Sequence, residues 1–294
     1  MPATLAWNRY GKSRIRLVKV RRCAEPSRSP TSSGNASAPH EIVDLTIDVQ
    51  LEGDFEPVYV EGDNRRCLPT DTMKNTVYAF ARHDPVVDVE TFATKLAEHF
   101  VAKTGVTRVR ISAEQAQWNR ISPAGRPNPH AFVQAGSEQW TAVVTRDRDG
   151  VDIVSGVTNL VVLKTTDSAF TGYPRDEYTT LPEASDRILA TSITAAWKYR
   201  RGTTDFKARE RIRSALVDTF ASHKSASVQH TLYAMAEAAM AASVDVTEIT
   251  LTLPNRHHVL VDLTPFGLDN PNEIFVATDQ PFGLIEATVR RSRS

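Results

Sequence analysis

The sequence predicts an α+β fold in which antiparallel strands carry helices on one face. Segments with apolar residues at every second position indicate strands, and segments with apolar residues three and four positions apart indicate helices. The two kinds follow one another in a repeated order: two strands, two helices and two strands, and then the same series again. This repeat predicts two domains, residues 1–148 and 149–294, each with a four-stranded antiparallel sheet and two helices on one face.

The first round begins with a strand over residues 14–20. A second strand over 42–51 has apolar residues alternating with polar ones, and the segment between them, 25–39, is so rich in Pro and Ser that we expect a flexible hairpin tip. Two helical segments follow. Asp88 is predicted to cap the second of them, in which Val89, Phe92, Leu96 and Phe100 form an apolar face, and Gly105 to end it. Strands over 107–113 and 131–147 complete the round.

The second round starts after Gly150 with strands over 151–163 and 188–199. Two helices are marked by apolar residues at helical spacing, namely Phe206, Ile212, Leu216 and Phe220 in the first and Val228, Leu232, Met235 and Ala239 in the second. The chain closes with predicted strands over 248–253, 258–263, 273–276 and 283–289.

Composition excludes several classes of protein. Lys plus Arg and Asp plus Glu number 35 each, so the net charge favours neither nucleic acid nor an anionic membrane as a partner. Apolar runs are too short to span a membrane, and basic residues interrupt any apolar leader. The two cysteines, Cys23 and Cys67, lack metal-ligand spacing and indicate free thiols in a reducing compartment. We therefore expect a cytoplasmic protein.

Five segments, spread in order along the chain, resemble the urate oxidase (uricase) family. None is specific by itself, but their shared order covers the chain from about residue 10 to residue 290. They are Tyr10-Gly11-Lys12, the run from Thr70 to Thr76, the loop from Phe170 to Arg187, the run from Ser225 to Gln229, and Leu253-Pro254-Asn255-Arg256-His257.

The resemblance implies a specific architecture and reaction. Members of this family have two tunnelling-fold (T-fold) domains, here 1–148 and 149–294, whose sheets close into a barrel in a homotetramer with active sites at subunit interfaces. Closure removes exposed sheet edges. The implied reaction is oxidation of urate by O₂ and water to 5-hydroxyisourate and H₂O₂ without a cofactor, and the sequence contains no GxGxxG, P-loop or GxSxG motif.

The resemblance also assigns the residues that bind the substrate. Urate is a flat monoanion edged by carbonyl oxygens and N–H groups. Arg187 would bind one edge with its planar fork, and Gln229 would donate to and accept from another. Phe170 would stack on the ring, and Val228 would contribute a main-chain contact. Outside these motifs, an arginine in such a position is ordinarily a solvated charge and a glutamine an amide on a helix surface. The phenylalanine and the valine would ordinarily be core side chains.

A second group would handle protons and oxygen. In the family pattern Lys12, Thr70 and His257 form a proton relay, which suits an amine, a hydroxyl that both donates and accepts, and an imidazole. Asn255 would bind at the substrate site and position the oxygen or water there. Thr70 with Asp71 would enter from a neighbouring subunit as further substrate-binding residues. On that basis we expect Lys12→Ala and Thr70→Ala chains to complement each other in hybrid tetramers.

Three other interpretations compete with this one. His257 and His258 invite a metal site, but adjacent strand residues point to opposite faces, and no further ligand has convincing spacing. A T-fold enzyme acting on pterins or other purines would ordinarily bind the heterocycle with a glutamate, in place of Arg187 and Gln229. A non-catalytic urate-binding protein would need a broken relay, whereas Lys12, Thr70 and His257 are all present.

Overall fold

A computed structural model describes residues 3–22 and 39–292 of the chain. The strands are β1 Tyr10–Arg22, β2 His40–Gly53, β3 Val106–Arg120, β4 Phe132–Asp147, β5 Gly150–Lys164, β6 Leu189–Tyr199, β7 Val246–Leu260 and β8 Phe275–Arg290. The α-helices are α1 Glu56–Val60, α2 Thr70–His83, α3 Val89–Val101, α4 Ala208–Ser222 and α5 Val228–Ala241. The chain divides into two units, Met1–Ser155 and Gly156–Ser294. In the described ranges no helix is long and apolar enough to cross a membrane.

The first unit contains an antiparallel sheet with the strands in chain order, β1 to β4. Alternate residues of β2 face the helices and are fully buried, as the predicted alternation requires: Leu45, Ile47, Val49 and Leu51. Helix α3 packs across β3 and β4, and α2 packs against β1. The apolar faces of these helices complete one hydrophobic core with the sheet.

The predicted cap of α3 is confirmed, and its predicted end is wrong. The Asp88 side chain accepts a hydrogen bond from the Thr91 N–H at 2.7 Å. The helix ends at Val101, before Gly105. Gly105 instead has φ +80° in the turn that leads into β3, a conformation that favours glycine.

The second unit contains β6, β7 and β8 as antiparallel neighbours, with α4 and α5. The four short closing strands predicted from the sequence are two long strands, β7 and β8. Pairing continues through Pro254 and His257, with a bulge between Asn255 and His257. The polar run of β7 from Pro254 to His258 hides this continuity, because it breaks the apolar alternation.

A lysine from the first strand of each round caps the C-terminal end of a long helix of that round, α2 in the first and α4 in the second. Lys19 of β1 donates through Nζ to the carbonyl oxygens of Ala81 at 2.5 Å and Asp84 at 2.6 Å, at the end of α2. Lys164 of β5 donates to the carbonyl of His223, at the end of α4, at 2.5 Å. Both cations satisfy carbonyl groups that have no partner within the helix.

The structure confirms the α+β class and the antiparallel pairing. The repeated order of elements is also present, with one short helix, α1, before the two helices predicted for the first round. The domain limits 1–148 and 149–294 remain a prediction. Cys67 is a free thiol. Cys23 and all but the last residue of the 25–39 segment lie outside the described residues.

Candidate active site

Lys12 has a tightly constrained position on β1. It pairs with Val49 of β2, and the register shifts directly after it. A Cβ atom on the preceding residue, Gly11, would lie 1.9 Å from the Val49 carbonyl oxygen, so only glycine fits there. Within the bulge, Arg14 has φ 57° and its N–H donates to Asp48 at 2.5 Å. These features fix the backbone on both sides of Lys12.

Thr70 and Asp71 lie in the first turn of α2. The N-terminal end of a helix favours a negative charge such as that of Asp71. The Asp71 carboxylate accepts hydrogen bonds from Lys74 Nζ at 2.5 Å and Asn75 Nδ2 at 3.0 Å. The hydrogen bond from Lys74 lowers the pKa of Asp71, and the charge of Lys12 lowers it further. Helix α2 packs against β1, so Lys12, Thr70 and Asp71 lie on two neighbouring elements of the first unit.

The loop before β6 places Arg187 against Phe170. The backbones of Phe170 and Ala184 exchange two hydrogen bonds, of 2.7 and 3.1 Å, which close the loop. Arg187 Cζ then lies 5.2 Å from the centre of the Phe170 ring. The other ring contact of Phe170 is a stacked one with Tyr173, with centres 4.8 Å apart and an angle of 16°. A planar cation and an aromatic ring therefore lie side by side in this loop.

Arg187 is partly removed from water. Burial lowers the pKa of its guanidinium, which nevertheless remains a cation at neutral pH. Its Nε is buried and has no hydrogen-bond partner within the part of the chain that the structure describes. A buried donor without a partner costs free energy, and an anionic or carbonyl-bearing ligand would satisfy it.

Val228 and Gln229 begin α5, close to the Phe170 segment. The Ser227 side chain caps this helix by accepting the His230 N–H at 3.1 Å. The turn before it is joined to the Phe170 segment, because the Ala169 N–H donates to the Ser225 carbonyl at 2.8 Å. Val228 is buried, whereas Gln229 is exposed. The Gln229 amide is therefore free to meet a ligand.

Asn255 and His257 lie on either side of the β7 bulge. Asn255 pairs with Thr191 of β6, four residues after Arg187, and with Gly283 of β8. His257 pairs with Thr278. The Thr191 hydroxyl is buried and has no partner among the described residues. Asn255 therefore lies before the bulge, beside the start of β6, and His257 lies after it, in the part of β7 that pairs with Thr278.

The candidate residues are divided between the two units. Lys12, Thr70 and Asp71 belong to the first. The second contains Phe170, Arg187, Val228, Gln229, Asn255 and His257. No group of three or more His, Cys, Asp or Glu residues that could hold a metal ion occurs within residues 3–22 and 39–292.

Two contact residues were given no role in the sequence analysis. Tyr173 stacks on Phe170 and donates its hydroxyl to the Leu181 carbonyl at 2.6 Å. Lys74 pairs with Asp71. Both lie inside the motifs that carry the family resemblance, so their location was a usable signal, but only the structure shows what they touch.

Comparisons with known proteins identify the family of the chain. A family profile described as Uricase matches residues 8–145 and 153–286. The chain is 45% identical to the uricase of Arthrobacter globiformis over 292 residues, which cover 99% of this chain and 91% of that protein. It is 36% identical to the uricase of Dictyostelium discoideum, with 99% of each chain covered. The crystal structure of the Arthrobacter globiformis uricase superposes with a TM-score of 0.89 at 44% identity, covering 100% of this chain and 98% of that one.

Proposed function

The chain belongs to the uricase family, and we propose that it is an oxidoreductase that oxidises urate with molecular oxygen. The observation that most directly supports this proposal is the pairing of Arg187 with Phe170. A half-buried cation, whose Nε has no hydrogen-bond partner among the described residues, lies against an aromatic ring. Urate supplies what this pair lacks, because it is a flat anion that can both stack and accept hydrogen bonds.

In the proposed reaction, urate, O₂ and water give 5-hydroxyisourate and H₂O₂. Urate loses two electrons and O₂ gains them together with two protons, and the oxygen of water becomes the new hydroxyl group. The electrons come from deprotonated urate itself, so the protein deprotonates, orients and stacks the substrate. This proposal requires no cofactor.

Four residues of the second unit would hold the purine. Arg187 forms a bidentate contact with a carbonyl oxygen and a ring nitrogen. Gln229 donates and accepts along another edge, Phe170 stacks on the ring, and Val228 offers a main-chain N–H at the start of α5. The joined backbones of the Phe170 loop and the turn before α5 support this arrangement.

The proton relay would run from Lys12 to Thr70 to His257. Thr70 passes the proton because its hydroxyl can donate and accept, and Asp71 contributes to binding beside it. Asn255 positions the oxygen or water. The packing of α2 against β1 supports the first step, since β1 carries Lys12 and α2 begins at Thr70.

The proposal includes the assembly of the family. Residues 1–148 and 149–294 are two T-fold domains, and the sheets of four chains close into a barrel, with each active site at an interface. Closure would cover the sheet edges that a separate chain exposes. The free thiol of Cys67 is consistent with a reducing, cytoplasmic location.

Oxygen uptake by the purified protein tests the function directly. With urate and a metal chelator present, we expect oxygen consumption matched by H₂O₂ formation in a ratio of about one to one, as the balanced reaction requires. A folded protein that consumes no oxygen with urate but turns over a pterin would contradict the proposal. Activity abolished by the chelator would contradict its cofactor-free part.

Hybrid tetramers of two inactive variants test whether each site is shared between subunits. Lys12 and Thr70 both belong to the first unit. In a shared site, a mixture of Lys12→Ala and Thr70→Ala chains would therefore have a defective first unit at every site, and the complementation expected from the sequence would not occur. We expect recovery instead when Lys12→Ala chains are mixed with Arg187→Ala chains. In such hybrids about a quarter of the sites combine an intact first unit with an intact second unit. Oxygen uptake after subunit exchange measures this.

The mixture of Lys12→Ala with Thr70→Ala is the matched control and should remain inactive. Native mass spectrometry verifies that mixed tetramers have formed. Recovery in the control mixture, or none in the test mixture once mixed tetramers are present, would contradict the assignment of these residues to two halves of one shared site.

A further inference from the structure

Tyr10 connects the two segments that contain Lys12 and Thr70. Its hydroxyl accepts a hydrogen bond from the Leu68 N–H at 2.8 Å. Its ring packs edge-on against Phe55, with centres 4.9 Å apart at an angle of 84°, and Phe55 is fully buried. One side chain thus ties the beginning of β1 to both the core and the loop that precedes α2.

Each end of this connection lies two residues before a residue of the proposed relay. Tyr10 precedes Lys12 by two residues, and Leu68 precedes Thr70 by two residues. Both connections are stiff. Gly11 is held against the Val49 carbonyl, and Pro69 has its φ fixed, at −57°. Moving the Tyr10 hydroxyl would therefore displace Lys12 relative to the first turn of α2.

The environment keeps the phenol neutral, so it can serve as this connection throughout the neutral pH range. Burial raises the pKa of Tyr10 to about 12, and the adjacent Cys67 thiol adds to the rise. A neutral hydroxyl can accept from Leu68 and donate at the same time.

We propose that Tyr10 is a positioning residue, which sets the place of Lys12 relative to Thr70 and Asp71; this inference rests on the proposed function of those residues. Tyr10 does not touch the substrate in this role. It acts through Lys12 and Thr70, whose separation determines how readily a proton passes between them.

The test is a double-mutant cycle of Tyr10→Phe with Lys12→Ala. Tyr10→Phe keeps the ring on Phe55 and removes only the oxygen that accepts from Leu68. In the native background we expect kcat for urate oxidation to fall about tenfold, with KM changed less than about twofold. In the Lys12→Ala background the same change should cost less than about twofold, because the residue it positions is gone. Each rate is normalised to folded protein by circular dichroism, at a temperature where all variants are folded.

Tyr78→Phe is the matched control, since Tyr78 lies on α2, is exposed, and donates to the Arg16 carbonyl at 3.5 Å. Its kcat should equal that of the unchanged protein. The positioning role alone would be overturned if the unchanged protein is active and Tyr10→Phe has the same kcat. It would also be overturned if Tyr10→Phe lowers kcat by the same factor in the native and the Lys12→Ala backgrounds. A folded parent that oxidises no urate would overturn the proposed function and this role with it.

Discussion

Replacing Lys12 with alanine should lower kcat for urate oxidation by about 10²–10⁴, the usual contribution of a positioned proton-transfer group. Thr70→Ala should have an effect of the same order, because either change interrupts the proposed relay. KM should change less than kcat in both variants, since the four residues proposed to hold the purine ring lie in the second unit. Steady-state oxygen uptake over a range of urate concentrations separates kcat from KM.

The control for this prediction is Lys95→Ala. Lys95 is an exposed lysine of α3 whose ion pair is with Asp84, away from the relay. Thr70→Ser should retain a substantial part of the rate because it keeps the hydroxyl. If folded Lys12→Ala protein has the same kcat as the unchanged protein, the Lys12 amine transfers no proton in the rate-limiting step.

Arg187→Ala should chiefly weaken urate binding. Hydrogen bonds to a charged group contribute about 1.5–3 kcal/mol, which corresponds to a rise of roughly 10- to 150-fold in KM. Arg187→Lys should recover only part of this loss, since lysine keeps the charge but not the planar fork. Binding of urate under anaerobic conditions, measured by calorimetry, avoids turnover and reports affinity directly.

The matched control is Arg200→Ala at the opposite end of β6, where the guanidinium donates to the Val244 carbonyl at 3.4 Å. This variant should bind urate as the unchanged protein does. An Arg187→Ala protein with unaltered urate affinity would exclude Arg187 as the residue that holds the purine anion.

The fold could be predicted from the sequence wherever the local pattern of side chains matches one kind of secondary structure. The alternating residues of β2 are buried on one face, and Asp88 caps the helix that it precedes, so local rules were sufficient there. Those rules failed in β7, where Pro254 and several polar residues continue a strand. Pairing with β8 overrides local preference in that region, and pairing between distant segments is not visible in a single sequence.

The candidate site could be named from the sequence but not assembled from it. One motif contains both Arg187 and Phe170, but only the folded loop shows the guanidinium beside the ring, with a buried Nε that has no partner in the described part of the chain. Likewise, Lys12 was assigned to the relay while Thr70 was expected from another subunit. The folded chain shows both residues in one unit, on two elements that pack together, β1 and α2, and no local pattern encodes that packing.

The two capping lysines have a consequence for folding. The ends of α2 and α4 receive their hydrogen bonds from strands that lie far away in the sequence, with separations of 62 residues for Lys19 to Ala81 and 59 for Lys164 to His223. Neither helix end is satisfied until its strand has docked, so helix completion depends on long-range closure of the chain. Each unit should therefore fray little in its native state, and hydrogen exchange at these two helix ends should follow the opening of a whole unit.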